Sequence, residues 1–311
     1  MTKENSAETA DSLRPSDLVE LYKSGVNISK FLRSREGSDI NSPFTIEMAY
    51  ELQAGSYVEA MRDPVVYDFK VRYAGLIAQE IQALGTFESV LEVGVGEATT
   101  LGFVAGNLPA DTACYGFDIS WSRVAVAREW LEEIDVQGVQ MCTADLSAMP
   151  YADDSIDVVY TSHSIEPNGG REKEILSELY RVARHYLVLL EPDYENASEE
   201  ARARMREHGY CRYLAQAATE LGMEVVRHEP FPHSINPMNP TGLTIIRKPP
   251  SGTAAPADVY VCPVSRGALV KVDGAYFSPD SLLAYPVIDG IPCLREANAI
   301  VCCHLASKGR E

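Results

Sequence analysis

A strand-like apolar segment that runs directly into two glycines is the feature that most constrains this chain. Residues 89–93, Ser-Val-Leu-Glu-Val, precede Gly94 and Gly96, and a helical apolar pattern follows over 98–107. Glycine lets the backbone turn tightly and lets a ligand approach it closely. The N-terminus of the following helix adds unpaired N–H groups. The segment predicts a strand, turn and helix that face a ligand, although the third glycine of the dinucleotide-binding pattern is absent.

Strand-like and helix-like segments alternate beyond this unit, which is typical of a sheet with helices on both faces. Further strands are predicted at 113–117, 140–143, 156–161, 186–190, 224–227 and 243–247. Further helices are predicted at 121–133, 173–183 and 198–221. Together these segments predict an α/β domain over residues 85–248 with a Rossmann-like, doubly wound seven-stranded sheet.

The chain before this domain, residues 1–84, shows helical periodicity. Helices are predicted at 16–32, 45–61 and 65–84. We expect Ser16 to cap the first helix, Gly25 to interrupt it, and Gly85 to end the third. The N-terminal part should therefore be a helical segment that packs on the α/β domain.

The composition changes at residues 249–257, where Pro, Ala, Ser and Gly predict a linker. Short β-like runs separated by Gly and Pro turns follow, at 259–262, 268–272, 275–277 and 285–287. We expect a small β-rich domain over 258–300 and a tail over 301–311.

Charge and apolar content limit the functional classes. The chain has 311 residues and a formal net charge of -18, which repels phosphate backbones, so a nucleic acid partner is not expected. No apolar run reaches the roughly 18 residues of a membrane span, and residues 1–11 are polar without the apolar core of a secretory signal. We therefore expect a cytoplasmic protein with no membrane partner, while assembly into a homo-oligomer stays open.

Cysteine usage favours reduced thiols. The seven cysteines form an odd number without closely repeated spacing, which disfavours a disulfide framework. Cys302, Cys303 and His304 are adjacent metal-ligand residue types, but such a triplet near the end of a chain is more often incidental. We expect no metal ion in this protein.

Three acids stand at or near the ends of successive predicted strands: Glu92, Asp118 and Asp145. A carboxylate inside an apolar strand, as at Glu92, is costly unless it meets a cation or hydrogen-bond donors. An acid after the second strand can accept hydrogen bonds from ribose hydroxyls. Each acid alone would more often cap a helix or lie in a solvated loop. Their occurrence at three strand ends in order favours a binding site.

Residues 86–193 resemble class I S-adenosylmethionine-dependent methyltransferases, through Glu-x-Gly-x-Gly at 92–96, Asp118 and Ala-Asp-Leu at 144–146. The resemblance implies S-adenosylmethionine as cofactor, with Glu92 and Gly94 at its methionine end, Asp118 at the ribose and Asp145 at the adenine. It implies that Ile119 and Leu146 sandwich the adenine ring. The remaining cofactor contacts that we expect are Gly96, Ser162 and three residues of an N-terminal helical lid, Tyr50, Gln53 and Tyr57.

In that family the acceptor lies near the loop after the fourth strand, here Thr-Ser-His-Ser-Ile-Glu at 161–166. His163 has a suitable pKa to deprotonate an acceptor, and Glu166 could orient it or bind substrate. Glu191 and Tyr194, after the fifth strand, are further catalytic candidates. The alternatives are that His163 packs over the cofactor and that Glu191 and Tyr194 serve in capping and packing. The proline-stiffened loop 232–241 is either a substrate wall or a surface loop.

The loop lacks the Asn-Pro-Pro-Tyr motif of methyltransferases that act on amide or base nitrogens. We therefore expect a small-molecule acceptor, in natural-product or sugar biosynthesis, with O-methylation favoured over N-methylation because of His163. The first alternative is a methyltransferase for a translation component, namely tRNA, rRNA or protein. The second is a non-catalytic, methyltransferase-like scaffold.

Residues 259–294 are similar to the zinc-ribbon-like methyltransferase activator-subunit family. The similarity rests on Cys-Pro-Val-Ser at 262–265 and Tyr-Pro-Val-Ile-Asp-Gly-Ile-Pro at 285–292. Members that bind zinc have a cysteine where this chain has Ser265, and no cysteine stands near Phe277 as a partner ligand. The resemblance implies that this domain gates substrate or stabilises the chain, and its residues argue against zinc.

Overall fold

The computed structural model describes residues 13–250, 256 and 258–305. The helices in this part of the chain are α1 (Pro15–Lys23), α2 (Ile28–Glu36), α3 (Pro43–Glu51), α4 (Ser56–Ala60), α5 (Pro64–Ala83), α6 (Leu101–Asn107), α7 (Trp121–Glu133), α8 (Glu172–Val182), α9 (Glu199–His208) and α10 (Leu214–Glu220). The strands up to residue 250 are β1 (Ser89–Val93), β2 (Ala113–Asp118), β3 (Gln140–Thr143), β4 (Ile156–Ser162), β5 (Ala183–Pro192), β6 (Glu224–Pro230) and β7 (Thr241–Arg247).

These seven strands form one twisted sheet in the order β3-β2-β1-β4-β5-β7-β6. Strands β1 to β5 pair in parallel, whereas β7 is antiparallel to both β5 and β6. The predicted seven-stranded α/β fold is confirmed, with a mixed rather than an all-parallel sheet. The strand order reverses between β1 and β4, and such a switch point opens a crevice at the carboxyl ends of the strands.

Two predicted helices are each split by a glycine. The segment predicted as one helix over 45–61 contains α3 and α4, because Gly55 takes the left-handed conformation with φ of 94° between them. The segment predicted over 198–221 contains α9 and α10, because Gly209, at φ of 69°, ends α9. Ser198 caps α9 as predicted. At the N-terminus, Pro15 is the first residue of α1 and Arg14 precedes it, so the prediction that Ser16 caps this helix was wrong.

A second, antiparallel sheet follows in the C-terminal part. Its strands are β8 (Val270–Val272), β9 (Ala275–Ser278), β10 (Leu283–Ile288), β11 (Ile291–Pro292) and β12 (Ile300–Val301), with β11 and β12 both paired to β10. The last two were not predicted, because two-residue strands carry no alternation. Most of the predicted linker and tail, residues 251–255, 257 and 306–311, lies outside the described residues.

The C-terminal part packs directly against the edge of the large sheet at β3. Main-chain hydrogen bonds join the two, from Leu294 N to Thr143 O and from Val261 N to Pro150 O, both at 2.9 Å. Tyr151 of the α/β part and Tyr285 of the C-terminal part are buried in the same hydrophobic cluster. The two parts therefore share a core, and the domain boundary that the sequence predicts stays a prediction. Within the described residues, no helix is long and apolar enough to cross a membrane.

Candidate functional site

A cavity of about 310 Å³ opens at the carboxyl ends of β1, β2 and β4. This volume is at the lower end of the range for small-molecule sites. Most of the predicted site residues line it: Tyr50, Tyr57, Glu92, Gly94, Gly96, Asp118, Ile119, Asp145, Leu146, Ser162, His163 and Glu166. Three predicted residues, Gln53, Glu191 and Tyr194, do not line it.

The glycine turn after β1 leaves room for no side chain. Gly94 has φ of 65°, and a Cβ there would lie 2.3 Å from Cβ of Ser164 in the loop after β4. Gly96 has φ of 55°, and its N–H donates to Oδ2 of Asp118 at 2.9 Å. The turn therefore needs glycine both for its left-handed backbone and for its close contact with the neighbouring loop.

The two acids that the resemblance places at ribose and adenine are held by backbone donors. Asp118 is buried at the end of β2, and its Oδ1 accepts from Ser120 N at 2.9 Å. Asp145 accepts from Ser147 N at 2.8 Å and from the Ser147 hydroxyl at 2.6 Å, both on Oδ1. These bonds orient the two carboxylates at the cavity wall without consuming all of their acceptor capacity.

Glu92 is a deeply buried acid of the cavity wall. Burial raises its pKa to about 8, against the opposing effects of the Tyr160 hydrogen bond at 2.7 Å and of the Lys70 charge. Burial also lowers the pKa of Lys70, whose Nζ donates to Oγ1 of Thr100 at 3.2 Å. Lys70 lines the cavity from α5, and no sequence motif singles it out. Glu92 and Lys70 together can hold a ligand that carries both an ammonium and a carboxylate.

Arg123 and Glu97 connect the lid to the glycine turn, and sequence reasoning missed both. The Arg123 guanidinium carbon lies 4.9 Å from the ring centroid of Tyr50 and 4.6 Å from that of Tyr57. The Glu97 carboxylate accepts from Gly55 N at 3.0 Å and from Val58 N at 2.7 Å, at the start of α4. The only signal for Glu97 was its place directly after Gly96.

His163 stands in the loop after β4 with a left-handed backbone, at φ of 57°. Its Nδ1 lies 2.7 Å from Oε2 of Glu166, and its Nε2 lies 2.8 Å from Oγ1 of Thr241. Burial lowers the pKa of His163, but the hydrogen bond and charge of Glu166 outweigh it, so that the pKa is raised. A non-glycine residue with positive φ is strained, and such strain is concentrated at functional sites.

Residues of loop 232–241 line the cavity, and the role of this loop as a substrate wall stays a prediction. Ser234, Ile235, Asn236 and Asn239 line the cavity. The Asn239 amide donates to Oε2 of Glu166 at 2.9 Å, so that the loop also holds the His163 partner. This part of the cavity is polar and mostly uncharged.

The predicted catalytic contacts of Glu191 and Tyr194 need correction. Glu191 is buried behind the loop and accepts from the backbone N–H groups of Ser164, Ile165 and Glu166 at 3.0–3.1 Å. It is a positioning residue, and burial raises its pKa to about 7. The Tyr194 hydroxyl accepts from Arg206 at 2.8 Å on α9, away from the cavity. Gln53 follows α3, where its N–H donates to Tyr50 O at 3.2 Å.

The C-terminal part brings together four side chains at zinc-ribbon spacing: Cys262, Ser265, Ser278 and Ser281. Ser265 Oγ lies 3.3 Å from Ser278 Oγ, and Cys262 Sγ lies 3.4 Å from Ser281 Oγ. The Ser265 N–H donates to Cys262 Sγ at 3.3 Å. Burial raises the pKa of Cys262, but hydrogen bonds from Ser265, Ser281 and Tyr285 outweigh it and lower the pKa to about 6. One cysteine and three neutral hydroxyls supply at most one thiolate, whereas a structural zinc site uses four thiolate or imidazole donors.

A group of Asp193, Glu195 and His228 has ligand atoms within 4.8 Å of one another. Both carboxylate oxygens of Asp193 already accept from the Asn196 amide, at 3.0 and 3.2 Å. This group lies apart from the cavity, and we assign no metal to it.

Residues 90–186 match the family model described as a methyltransferase domain. The magnesium protoporphyrin IX methyltransferase of Synechocystis, solved with bound S-adenosylhomocysteine, aligns with 65% of this chain and 99% of its own, at 15% identity and a TM-score of 0.50. A chain of the complex between the Haloferax volcanii Trm112 methyltransferase activator and a methyltransferase aligns with 64% of this chain and 97% of its own, at 17% identity and a TM-score of 0.50.

A further solved structure is a SAM-dependent methyltransferase from Aquifex aeolicus, with 18% identity, a TM-score of 0.44 and coverage of 54% of this chain and 87% of its own. At a TM-score of 0.50, the Synechocystis and Haloferax structures show a shared fold. The family model covers the residues that build the glycine turn and the strand-end acids. Residues 90–186 are therefore similar to a methyltransferase domain, and the α/β part shares its fold with solved S-adenosylmethionine-dependent methyltransferases.

Proposed function

We propose that this protein transfers the methyl group of S-adenosylmethionine to a hydroxyl oxygen of a small-molecule acceptor. The observation that carries the proposal is that one cavity joins the strand-end acids to the His163–Glu166 pair. S-adenosylmethionine supplies an electrophilic methyl group on a sulfonium. The protein must align the acceptor with it, exclude water and accept the proton that the acceptor loses.

The residues of the cavity fit the parts of the cofactor. Glu92 and Lys70 have opposite charges when both are ionised, which matches the ammonium and carboxylate of the methionine end. Asp118, at the end of β2, is in position to accept from ribose hydroxyls. Asp145 would accept from the adenine amino group, with Ile119 and Leu146 as apolar contacts on the ring. Tyr50 and Tyr57, from the lid, would exclude water.

His163 is the proposed general base. Glu166 accepts from Nδ1–H and so leaves Nε2 as the atom that takes a proton. Nε2 lies 2.8 Å from Oγ1 of Thr241, and the acceptor hydroxyl would take the place of this donor. The polar wall of Asn236 and Asn239 favours an acceptor with further hydroxyl or carbonyl groups, as found in sugars and natural products.

The charge of the chain argues for a small acceptor. The formal net charge of -18 disfavours an RNA acceptor. The methyltransferase for a translation component is therefore the weaker alternative.

We also infer that residues 258–300 act as a built-in counterpart of a methyltransferase activator subunit. This inference is supported by the main-chain bonds of Leu294 and Val261 to the edge of the large sheet. The similar Haloferax structure is a complex with a separate activator. A covalent tether supplies such a partner at high effective concentration.

A methyl-transfer screen tests the proposed activity. Isotopically labelled S-adenosylmethionine would be offered with pools of phenols, sugars, amines and RNA. We expect transfer to a hydroxyl compound, and with that compound His163→Ala should lower kcat by about 10²–10⁴-fold because a general base is lost. The KM for the cofactor should stay within about twofold.

Asn236→Ala is the matched control, since it changes the same cavity without removing a titratable group, and it should alter mainly the KM for the acceptor. Transfer only to amines or RNA would contradict the proposed acceptor class. A kcat of His163→Ala within twofold of the native value would contradict the base assignment.

A further inference from the structure

Arg295 of the C-terminal part is buried beside the cofactor cavity, with 5% of its surface exposed. Its Nη1 donates to Oε1 of Glu47 on α3 and approaches the Ile119 carbonyl oxygen at 3.5 Å. Ile119 follows Asp118 and lines the cavity. One side chain from outside the α/β part therefore contacts both a lid helix and the end of a cofactor strand.

Helix α3 is held on this strand end at two points. Glu47 and Glu51 are four residues apart, so they lie on one face of the helix. Glu51 Oε1 accepts from the Ser120 hydroxyl at 2.9 Å and from Ser122 N at 3.1 Å, at the start of α7. Glu51 therefore binds the strand end directly, whereas Glu47 binds it through Arg295.

The position of helix α3 decides the shape of the cavity. Ile46 and Tyr50 of α3 line it, and the Tyr50 ring contacts Arg123 on the opposite wall. The backbone beside Arg295 is anchored on the large sheet. The preceding residue, Leu294, is fully buried, and its N–H donates to Thr143 O of β3 at 2.9 Å. Docking of the C-terminal part thus places the Arg295 guanidinium against α3.

We propose that Arg295 is a positioning residue through which the C-terminal part holds α3 closed over the cofactor cavity and thereby sets cofactor affinity. The proposal rests on the proposed function, since it needs the cavity to bind S-adenosylmethionine. Loss of the Arg295 contact lowers the fraction of molecules in which α3 is closed. The apparent dissociation constant for the cofactor rises by the factor by which that fraction falls.

The contact can be removed with little damage to the core. Glu47 retains a side-chain exposure of 28%, so water can hydrate its carboxylate once the guanidinium is gone. Nε of Arg295 has no hydrogen-bond partner among the residues that the structure describes. Methionine keeps most of the apolar stem of arginine, so Arg295→Met removes the charge and the donors but largely preserves the packing.

The test is calorimetric titration of the full chain with S-adenosylhomocysteine. We expect Arg295→Met and Glu47→Gln each to weaken binding by about five- to tenfold, and the double variant to bind no more weakly than Arg295→Met alone, because both changes break one contact. Arg295→Lys should restore part of the affinity. In turnover assays Arg295→Met should raise the KM for the cofactor and leave kcat at saturation unchanged.

The matched control is Arg128→Met, which breaks the contact of Arg128 with Asp289 on the same C-terminal part without touching α3. Its affinity should stay within twofold of native. Native-like affinity of Arg295→Met, or equal losses in Arg128→Met and Arg295→Met, would overturn the proposal while the proposed function stands. Failure of the native chain to bind the ligand at all would overturn both.

Discussion

The His163 imidazole is held between Glu166 and Thr241, and this arrangement predicts a specific pH dependence. The pKa of His163 is raised, because the Glu166 carboxylate outweighs the effect of burial. Only the neutral imidazole accepts a proton, so kcat should rise with pH through a midpoint above the ordinary value of 6.5.

Glu166→Gln should move this midpoint to lower pH, because burial then acts without the opposing carboxylate. The measurement is kcat between pH 5 and 9 at saturating substrates. Glu174→Gln is a control, since Glu174 pairs with Arg171 and does not contact His163. An unchanged midpoint in Glu166→Gln would rule out this pair as the titrating group.

The raised pKa of Glu92 predicts a link between cofactor binding and proton release. A pKa of about 8 means that Glu92 is mostly protonated at neutral pH. The cofactor ammonium favours the ionised carboxylate, so binding should release a proton below pH 8 and affinity should rise as pH increases towards 8. Titrations at pH 7 in buffers of different ionisation enthalpy measure the protons released.

Glu92→Gln is the corresponding control, and it should abolish both the proton release and the rise in affinity. Equal observed enthalpies in all buffers for the native chain would show that Glu92 does not ionise on binding.

The acids at strand ends were predictable from the sequence, whereas their partners were not. Asp118 and Asp145 follow predicted strands, and parallel strands bring such ends to one edge of a sheet. Arg123, Glu97 and Lys70 reach the same cavity only because α7, the glycine turn and α5 meet there. The spacing of these residues along the chain does not indicate that the three elements lie next to each other.

At the scale of elements, the best predictions were short strands and an uninterrupted helix. The predictions over 89–93, 121–133 and 140–143 coincide with β1, α7 and β3. Helices were mispredicted where a glycine with positive φ, Gly55 or Gly209, interrupts an apolar pattern that otherwise continues. The strand order and the antiparallel β7 depend on tertiary pairing, which periodicity does not specify.

A prediction about metal binding follows from the cluster of Cys262, Ser265, Ser278 and Ser281. The native chain should retain no zinc at this cluster, because the cluster offers one cysteine and three hydroxyls. Replacement of the three serines by cysteine supplies four thiolates at zinc-ribbon spacing and should create a site for one zinc ion.

Elemental analysis after dialysis measures the zinc bound by each form. Conversion of three exposed serines elsewhere, such as Ser24, Ser34 and Ser56, controls for nonspecific thiol binding. One equivalent of zinc on the native chain, or none on a folded triple variant, would contradict this interpretation.

At the scale of the whole molecule, two parts of the chain line the cavity, and the third contacts a helix that lines it. The N-terminal helices contribute Tyr50 and Tyr57, the α/β part contributes the acids and the His163 loop, and the C-terminal part supports α3 through Arg295. The shared hydrophobic cluster that includes Tyr151 and Tyr285 binds the C-terminal part to the large sheet. A change in the docking of the C-terminal part should therefore change the shape of the cofactor cavity.

The central claim is that the strand-end acids bind the cofactor, and calorimetric titration with S-adenosylhomocysteine tests it most directly. Asp118→Ala should weaken binding by at least about tenfold, or roughly 1.4 kcal/mol. Asp157→Ala is the matched control, since Asp157 is also a buried acid that accepts two backbone N–H bonds, but at the opposite end of the sheet. It should bind within twofold of native. Equal affinities of the two variants, or no binding by the native chain, would contradict the account.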